Sequence, residues 1–138
     1  SAQNKGLKLT FNKSATAIQL FADKDKIREV AVNLVDNAIK YSSGGEVKIT
    51  IKPTGATKDE KVLLSVQDSG IGIKKDDINK LFSKFGRSED AQKIDPNGMG
   101  IGLYFVKKVA EDHGGRVWVE SEGLGKGSIF FVELPVRQ

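Results

Sequence analysis

The 138-residue chain is 38% hydrophobic and 29% charged, which suits a single domain able to bury roughly two-thirds of the surface its unfolded form exposes. It has no cysteine, which excludes a disulfide framework or a thiolate metal site, and no apolar run near the ~20 residues of a membrane span, so a cytoplasmic location without membrane insertion is expected. Net charge is +4, from 22 basic and 18 acidic residues that are interspersed rather than blocked; this favours a small anionic ligand, and without a ladder of aromatic and basic residues no nucleic-acid partner is expected.

In chain order, short strands are predicted over residues 8–11 and 17–21, separated by the polar turn Asn12-Lys13-Ser14. Asp23 suits the N-cap of a helix beginning at Lys24. In it Ile27, Val30, Ala31, Leu34, Ala38 and Tyr41 recur at steps of three and four and form a core-facing stripe. The helix should stop at Ser42-Ser43-Gly44-Gly45, where glycine suits a left-handed cap. Residues 46–51 alternate toward Val47, Ile49 and Ile51, residues 61–67 are rich in valine and leucine, and the charged loop 52–60 joins them as a hairpin. After Asp68-Ser69-Gly70-Ile71-Gly72 a short helical stretch is predicted over 75–82, with Asp76 and Asp77 near its positive end.

Periodicity is then lost, and residues 85–98 read as a polar, mobile lid broken by Pro96. Beyond Gly98-Met99-Gly100-Ile101-Gly102 a helix carries Leu103, Phe105, Val106 and Val109 and stops at His113-Gly114-Gly115. Strands over 116–120 and 128–134 flank a turn containing Gly123, Gly125 and Gly127. The predicted fold is an α/β two-layer sandwich: a mixed, mainly antiparallel sheet of about five strands, covered on one face by about three helices, in one domain over residues 1–138. Residues 1–5 lack the apolar core of a signal peptide, and from a start at Ser1 without methionine an excised fragment is expected. The isolated domain is expected to be monomeric.

Three places carry chemistry. Asn33 and Asn37 lie four apart, so both amides leave one side of the first helix, beside the apolar stripe, and Lys40 joins them. A lone helix-surface asparagine is ordinarily just solvated. Two in register with a lysine can do more, because amide oxygens ligate a hard cation such as Mg²⁺ and an ammonium meets phosphate. Asp68 ends an apolar strand before Gly70-x-Gly72; a carboxylate there accepts from an exocyclic amine, and glycines let a flat base approach the backbone, which favours adenine over guanine. The third place is the triple glycine, which opens directly into a helix whose unpaired N–H groups can cradle phosphate.

With Leu81-Phe82-Ser83-Lys84-Phe85-Gly86-Arg87 between them, these pieces occur in an order that resembles the bacterial sensor histidine kinases. Residues 33–42 are similar to their N box, 68–72 to their first glycine box, 81–87 to their F box and 97–103 to their second glycine box. The resemblance covers nearly the whole chain. It implies the Bergerat ATP-binding fold shared by gyrase, Hsp90, mismatch-repair and histidine-kinase proteins, with ATP and Mg²⁺ as ligands. Asn37 would then ligate Mg²⁺, supported by Asn33 directly or through water. Lys40 and Tyr41 would contact phosphates, and Asp68 the adenine amino group. Gly70, Gly72, Ile73 and Phe82 would complete the base site, and Gly98, Met99, Gly100, Ile101, Gly102 and Leu103 the lid hinge. Lys84 and Arg87 are the cations placed by motif to meet the γ-phosphate. Gly86 stands where the family usually has an aromatic residue, and Lys84 where it often has arginine.

The family's ATPases resemble one another in a glutamate at the first N-box position, where it activates water. Here that residue is Asn33, and an amide takes no proton at neutral pH. Transfer of the γ-phosphoryl group to an outside nucleophile is therefore expected rather than hydrolysis. The sole histidine, His113, sits at a helix end and is expected to be structural, and Trp118 to be core or interface. The resemblance implies a separate dimerisation and histidine-phosphoacceptor domain and a response regulator as partners. The competing readings are a degenerate ATP-sensing module and an ATPase of the gyrase or Hsp90 kind.

Overall fold

The apolar stripe of the sequence lies along helix α1 (Lys24–Lys40), where Leu34, Ala38 and Val30 are 0, 1 and 2% exposed and Arg28, Glu29, Asp36 and Lys40 are in water. The structure is a computed structural model and describes residues 8–13, 24–42, 44–55, 60–83 and 102–136. Around α1 stand β1 (Lys8–Lys13), β2 (Glu46–Thr54), β3 (Lys61–Asp68), β4 (Arg116–Glu120) and β5 (Ser128–Pro135), with helices α2 (Lys75–Ile78) and α3 (Gly102–Asp112).

The five strands form one sheet in the order β1-β2-β3-β5-β4. β1 runs parallel to β2, and the other three pairs are antiparallel, as expected of a mixed, mainly antiparallel sheet. Period-two alternation sends Val66, Phe130, Val132 and Leu134 to the covered face. There they meet α1 and α3, which also pack on each other through Val30, Leu34, Val106 and Val109.

Several boundaries differ from expectation. β1 continues through Asn12 and Lys13, because their backbones pair with Thr50 and Ile51; polar residues that suit a turn are held extended by the ladder. β2 likewise runs to Thr54. Its Pro53 lies past the last residue paired with β1, where a missing N–H costs no bond on that side. The stretch 75–82 holds a single α-helical turn, then continues through i→i−3 bonds, Lys80 N–H to Asp77 O at 3.0 Å and Ser83 N–H to Lys80 O at 3.1 Å. The predicted strand 17–21, the Asp23 cap and the lid 85–98 lie outside the described residues.

α3 ends as its sequence predicts. Gly114 adopts φ +77°, its N–H bonds Glu111 O at 3.0 Å, and the Gly115 N–H bonds Ala110 O at 2.8 Å, which together make a Schellman cap. His113 is buried against this turn with Nδ1 2.8 Å from Val109 O; since a carbonyl only accepts, Nδ1 carries the proton. On the sheet's other face Trp118 stacks on Phe131 at 4.9 Å between ring centroids, with the Arg116 guanidinium 4.3 Å from its ring centre.

Leu34 fills the junction of both helices and the sheet, so Leu34→Ala should cost about 2–5 kcal/mol of unfolding free energy; urea denaturation followed by circular dichroism measures it, and a loss below that range would mean that the junction collapses around the gap.

Candidate functional site

Alternation along β3 brings Val62, Leu64 and Val66 to the core face, and the next residue in that phase is Asp68. A carboxylate thus stands where the pattern calls for an apolar side chain, and it is only 8% exposed. Its two oxygens are held apart: Oδ1 accepts the Gly70 N–H at 2.9 Å and Oδ2 accepts the Ser128 hydroxyl at 2.8 Å. Burial raises its pKa above the ordinary carboxylate value, against the lowering effect of bonds from Gly70 and from the Ser128 side chain and backbone. The result is a fixed, buried acceptor at the rim of the core.

The loop that follows is pressed between two backbones. A Cβ on Gly70 would strike the Tyr41 carbonyl, which also accepts the Ile71 N–H at 3.2 Å. On the other side Gly72, at φ +71°, has its Cα against the Gly123 carbonyl, where no side chain fits. Ile73 is 7% exposed and hands its N–H to the Ser121 hydroxyl at 3.1 Å. The first glycine box is therefore gripped by the end of α1 and by the β4–β5 turn, leaving Asp68, Gly70, Gly72 and Ile73 as one wall.

The second wall is α1 itself. Asn33 and Asn37 are both half-buried one turn apart, with Lys40 exposed and Tyr41 half-buried beyond them. The Asn33 amide group donates to Glu29 O at 2.9 Å, which turns its oxygen toward α3. There a Cβ built on Gly102 would lie 2.9 Å from that oxygen, so the N box and the last glycine of the second glycine box meet face to face. Leu103, the next residue, packs against the core. From the F box, Phe82 sets its ring edge-on to Phe130 at 6.1 Å. Lys84, Arg87, Gly98, Met99, Gly100 and Ile101 lie outside the described residues.

The structure thus gathers Asn33, Asn37, Asp68, Gly70, Gly72, Ile73 and Gly102 along α1 and its neighbouring loops. Two residues missed from the sequence support the site, Ser128 and Ser121. Ser128 had a signal available: it occupies a core-face phase of β5 that its strand otherwise fills with Phe130, Val132 and Leu134. Ser121 had none, since a serine after a strand is ordinary turn composition.

No group of three or more His, Cys, Asp and Glu side chains among the described residues could hold a metal. A cation here would have to rest on amide oxygens and on oxygens brought by a ligand, which suits a hard ion. The turned-out oxygen of Asn33 fits that chemistry.

Two outcomes test this geometry. Because the folded-state pKa of Asp68 is raised, its contribution to stability is full at acid pH and is lost as pH rises through the folded value. Asp68→Asn, which mimics the neutral form, should therefore leave the ligand-free domain at least as stable as wild type at pH 7 by thermal melting; a clear drop would mean that the ionised form is the favoured one. Gly102→Ala should push the Asn33 amide aside and weaken a Mg-dependent ligand with little change in Tm, measured by titration calorimetry with and without Mg²⁺.

Comparison with known proteins bears on what this site holds. The family described as histidine kinase-, DNA gyrase B-, and HSP90-like ATPase matches residues 22–138. Sensor protein RprX of Bacteroides fragilis is 40% identical over 129 residues, covering 94% of this chain and 24% of that protein. Adaptive-response sensory kinase SasA of Synechococcus elongatus is 43% identical over 118 residues, covering 85% and 29%. The chain thus spans about a quarter of the length of these relatives. Among solved structures, the catalytic domain of histidine kinase ThkA superposes with TM-score 0.81 at 30% identity, over 99% of this chain and 85% of that one. Full-length ShkA in complex with AMPPNP gives TM-score 0.80 at 29% identity, over 97% and 26%. On a match over residues 22–138 and a superposition across nearly its whole length, the chain belongs to the histidine kinase-, DNA gyrase B- and HSP90-like ATPase family, in the form of a histidine kinase catalytic domain.

Proposed function

We propose that this domain binds Mg-ATP and passes the γ-phosphoryl group to a histidine on a separate dimerisation and phosphoacceptor domain of its parent chain, from which a response regulator receives it. The observation that carries this reading is the pair of walls: a fixed carboxylate acceptor at one end and the Asn33–Gly102 meeting point at the other. Adenine would sit by Asp68, its amino group donating to the carboxylate, with Ile73 and the gripped glycine loop beside the ring. The triphosphate would run along α1 toward the N-terminus of α3, whose unpaired N–H groups favour an anion. Asn37 would hold the Mg²⁺ ion, with Asn33 acting directly or through water, and the ion would neutralise charge on the phosphates. Lys40 and Tyr41 would meet phosphate oxygens from the same helix, and Lys84 and Arg87 would reach the γ-phosphoryl group from the lid side.

The choice of kinase over ATPase follows from Asn33. Its amide is committed to Glu29 O and has no basic lone pair with which to take a proton from water. Positioning and electrostatics remain, and they serve transfer to an incoming imidazole: the nitrogen–phosphorus bond forms as the bridging phosphorus–oxygen bond breaks and ADP leaves with the electron pair. The acceptor is not His113, whose ring is buried at the end of α3. ShkA, one of the structural relatives, is described in complex with AMPPNP, which supports an adenine nucleotide as the ligand here.

The test combines this domain with its separate histidine-bearing domain and ATP labelled at the γ-phosphate. Label should appear on histidine, with slow phosphate release when the acceptor is left out. Nucleotide binding without transfer would favour a sensing module, and phosphate release at a rate independent of the acceptor would favour an ATPase. In the same system Asp68→Ala should weaken ADP by about 1–3 kcal/mol, and the affinity of wild type for ADP should fall as pH drops through the raised pKa of Asp68, where the carboxylate gains a proton and loses the charge that strengthens its accepted bond; a flat profile from neutral to acid pH would remove Asp68 from the base site.

A further inference from the structure

Ser121 lies in the turn after β4, and its hydroxyl uses every bond it can make. It donates its single proton to Gly127 O at 2.7 Å and accepts the Ile73 N–H at 3.1 Å and the Gly123 N–H at 3.3 Å; one proton given and two lone pairs filled is the full capacity of a hydroxyl. These three partners sit at the contacts that close the base wall. Gly127 has its Cα against the Asp68 carbonyl and Gly72 has its Cα against the Gly123 carbonyl, at approaches that leave no room for a side chain. One further bond, Gly125 N–H to Ile71 O at 2.8 Å, runs alongside.

We infer that Ser121 is a positioning residue for purine recognition: it touches no ligand, but pins the β4–β5 turn to the first glycine box and so sets the separation between the Asp68 carboxylate and the Gly70–Ile73 backbone. This rests on the functional reading above and sharpens it, because it assigns the choice of base to a residue outside all four boxes. Without the hydroxyl, the N–H groups of Ile73 and Gly123 lose their acceptor and Gly127 O loses a donor. Both sides of the wall remain, but their spacing is released. Asn33, Asn37 and Gly102 lie on the two helices and share no bond with Ser121, so the phosphate end should not feel the change.

The experiment is titration calorimetry of the 138-residue chain with ADP, GDP and inorganic triphosphate, each with Mg²⁺, for wild type, Ser121→Ala and Ser121→Thr. Ser121→Ala should weaken ADP about five- to thirty-fold, the worth of one to two hydrogen bonds, and narrow the preference for ADP over GDP by a similar factor, while inorganic triphosphate binds as in wild type. Ser121→Thr, which keeps the hydroxyl, should restore both. An unchanged ADP-to-GDP ratio in Ser121→Ala, or an equal loss for inorganic triphosphate, would show that the residue only supports the fold. Should Ser121→Ala fail to fold, amide hydrogen exchange on wild type and Ser121→Thr decides: slow exchange at Ile73 and Gly123 in both supports the pin, and exchange at the unprotected rate overturns it. A wild-type domain that binds no adenine nucleotide defeats the functional reading, and the purine role with it, whereas wild-type ADP binding together with an unchanged ADP-to-GDP ratio in Ser121→Ala rejects Ser121 alone.

Discussion

The molecule depends on how closely three stretches of backbone approach one another. The end of α1, the loop after β3 and the β4–β5 turn meet where Gly70 faces the Tyr41 carbonyl, Gly72 the Gly123 carbonyl and Gly127 the Asp68 carbonyl. At such separations no Cβ fits, and the polar backbone groups must pair across the gap because water is excluded from it. They do so through Ile71 N–H to Tyr41 O, Gly125 N–H to Ile71 O and the Ser121 hydroxyl. A loop without regular secondary structure is thereby tied to two other segments, and a ligand recognised along its edge would meet a smaller ordering cost.

Asp68 shows what that rigidity is for. A buried carboxylate is unfavourable, and its raised pKa records that burial outweighs the donors supplied by Gly70 and Ser128. A protein selected for stability alone would place a valine there, in phase with Val66. Keeping an acceptor in that position costs stability and, on the proposed reading, would supply an oriented charge for a ligand's amino group, the trade expected at a functional site. The same logic separates the two ends of the site. In the proposed site the base end would be made of groups whose partners are settled within the protein, whereas the phosphate end would present Asn33, Asn37 and the start of α3, whose amide oxygens and backbone N–H groups suit a cation and an anion together.

On the proposed reading, the presence of an amide rather than a carboxylate at Asn33 decides between phosphoryl transfer and hydrolysis. Glutamate at that position can accept a proton; asparagine with its NH₂ group tied to Glu29 O cannot, and its oxygen is turned toward Gly102. The scaffold thereby keeps the elements that would orient a nucleotide while lacking the group that would activate water. Where His113 sits agrees with the proposed reading, since its ring is spent on the end of α3.

Much of this was legible in the sequence because the relevant signals are local. The three- and four-residue stripe at 27–41 marks α1, alternation marks β2, a run rich in valine and leucine marks β3, glycine after His113 marks the end of α3, and the four boxes stand in order along the chain. The identity of residue 33 also determined, before any fold, that no carboxylate base stands there. Where the local signals failed, pairing overrode them: Asn12 and Lys13 read as turn yet lie in β1, because a ladder with β2 was available. Tertiary structure alone decided the contacts between distant segments. Ser128 meets Asp68 across 60 positions and Ser121 meets Ile73 across 48, while Asn33 meets Gly102 only because α1 and α3 cross on the sheet. Periodicity says which face of an element is buried; how near two faces come, and hence which hydroxyl completes which carboxylate, is set by packing of the whole core.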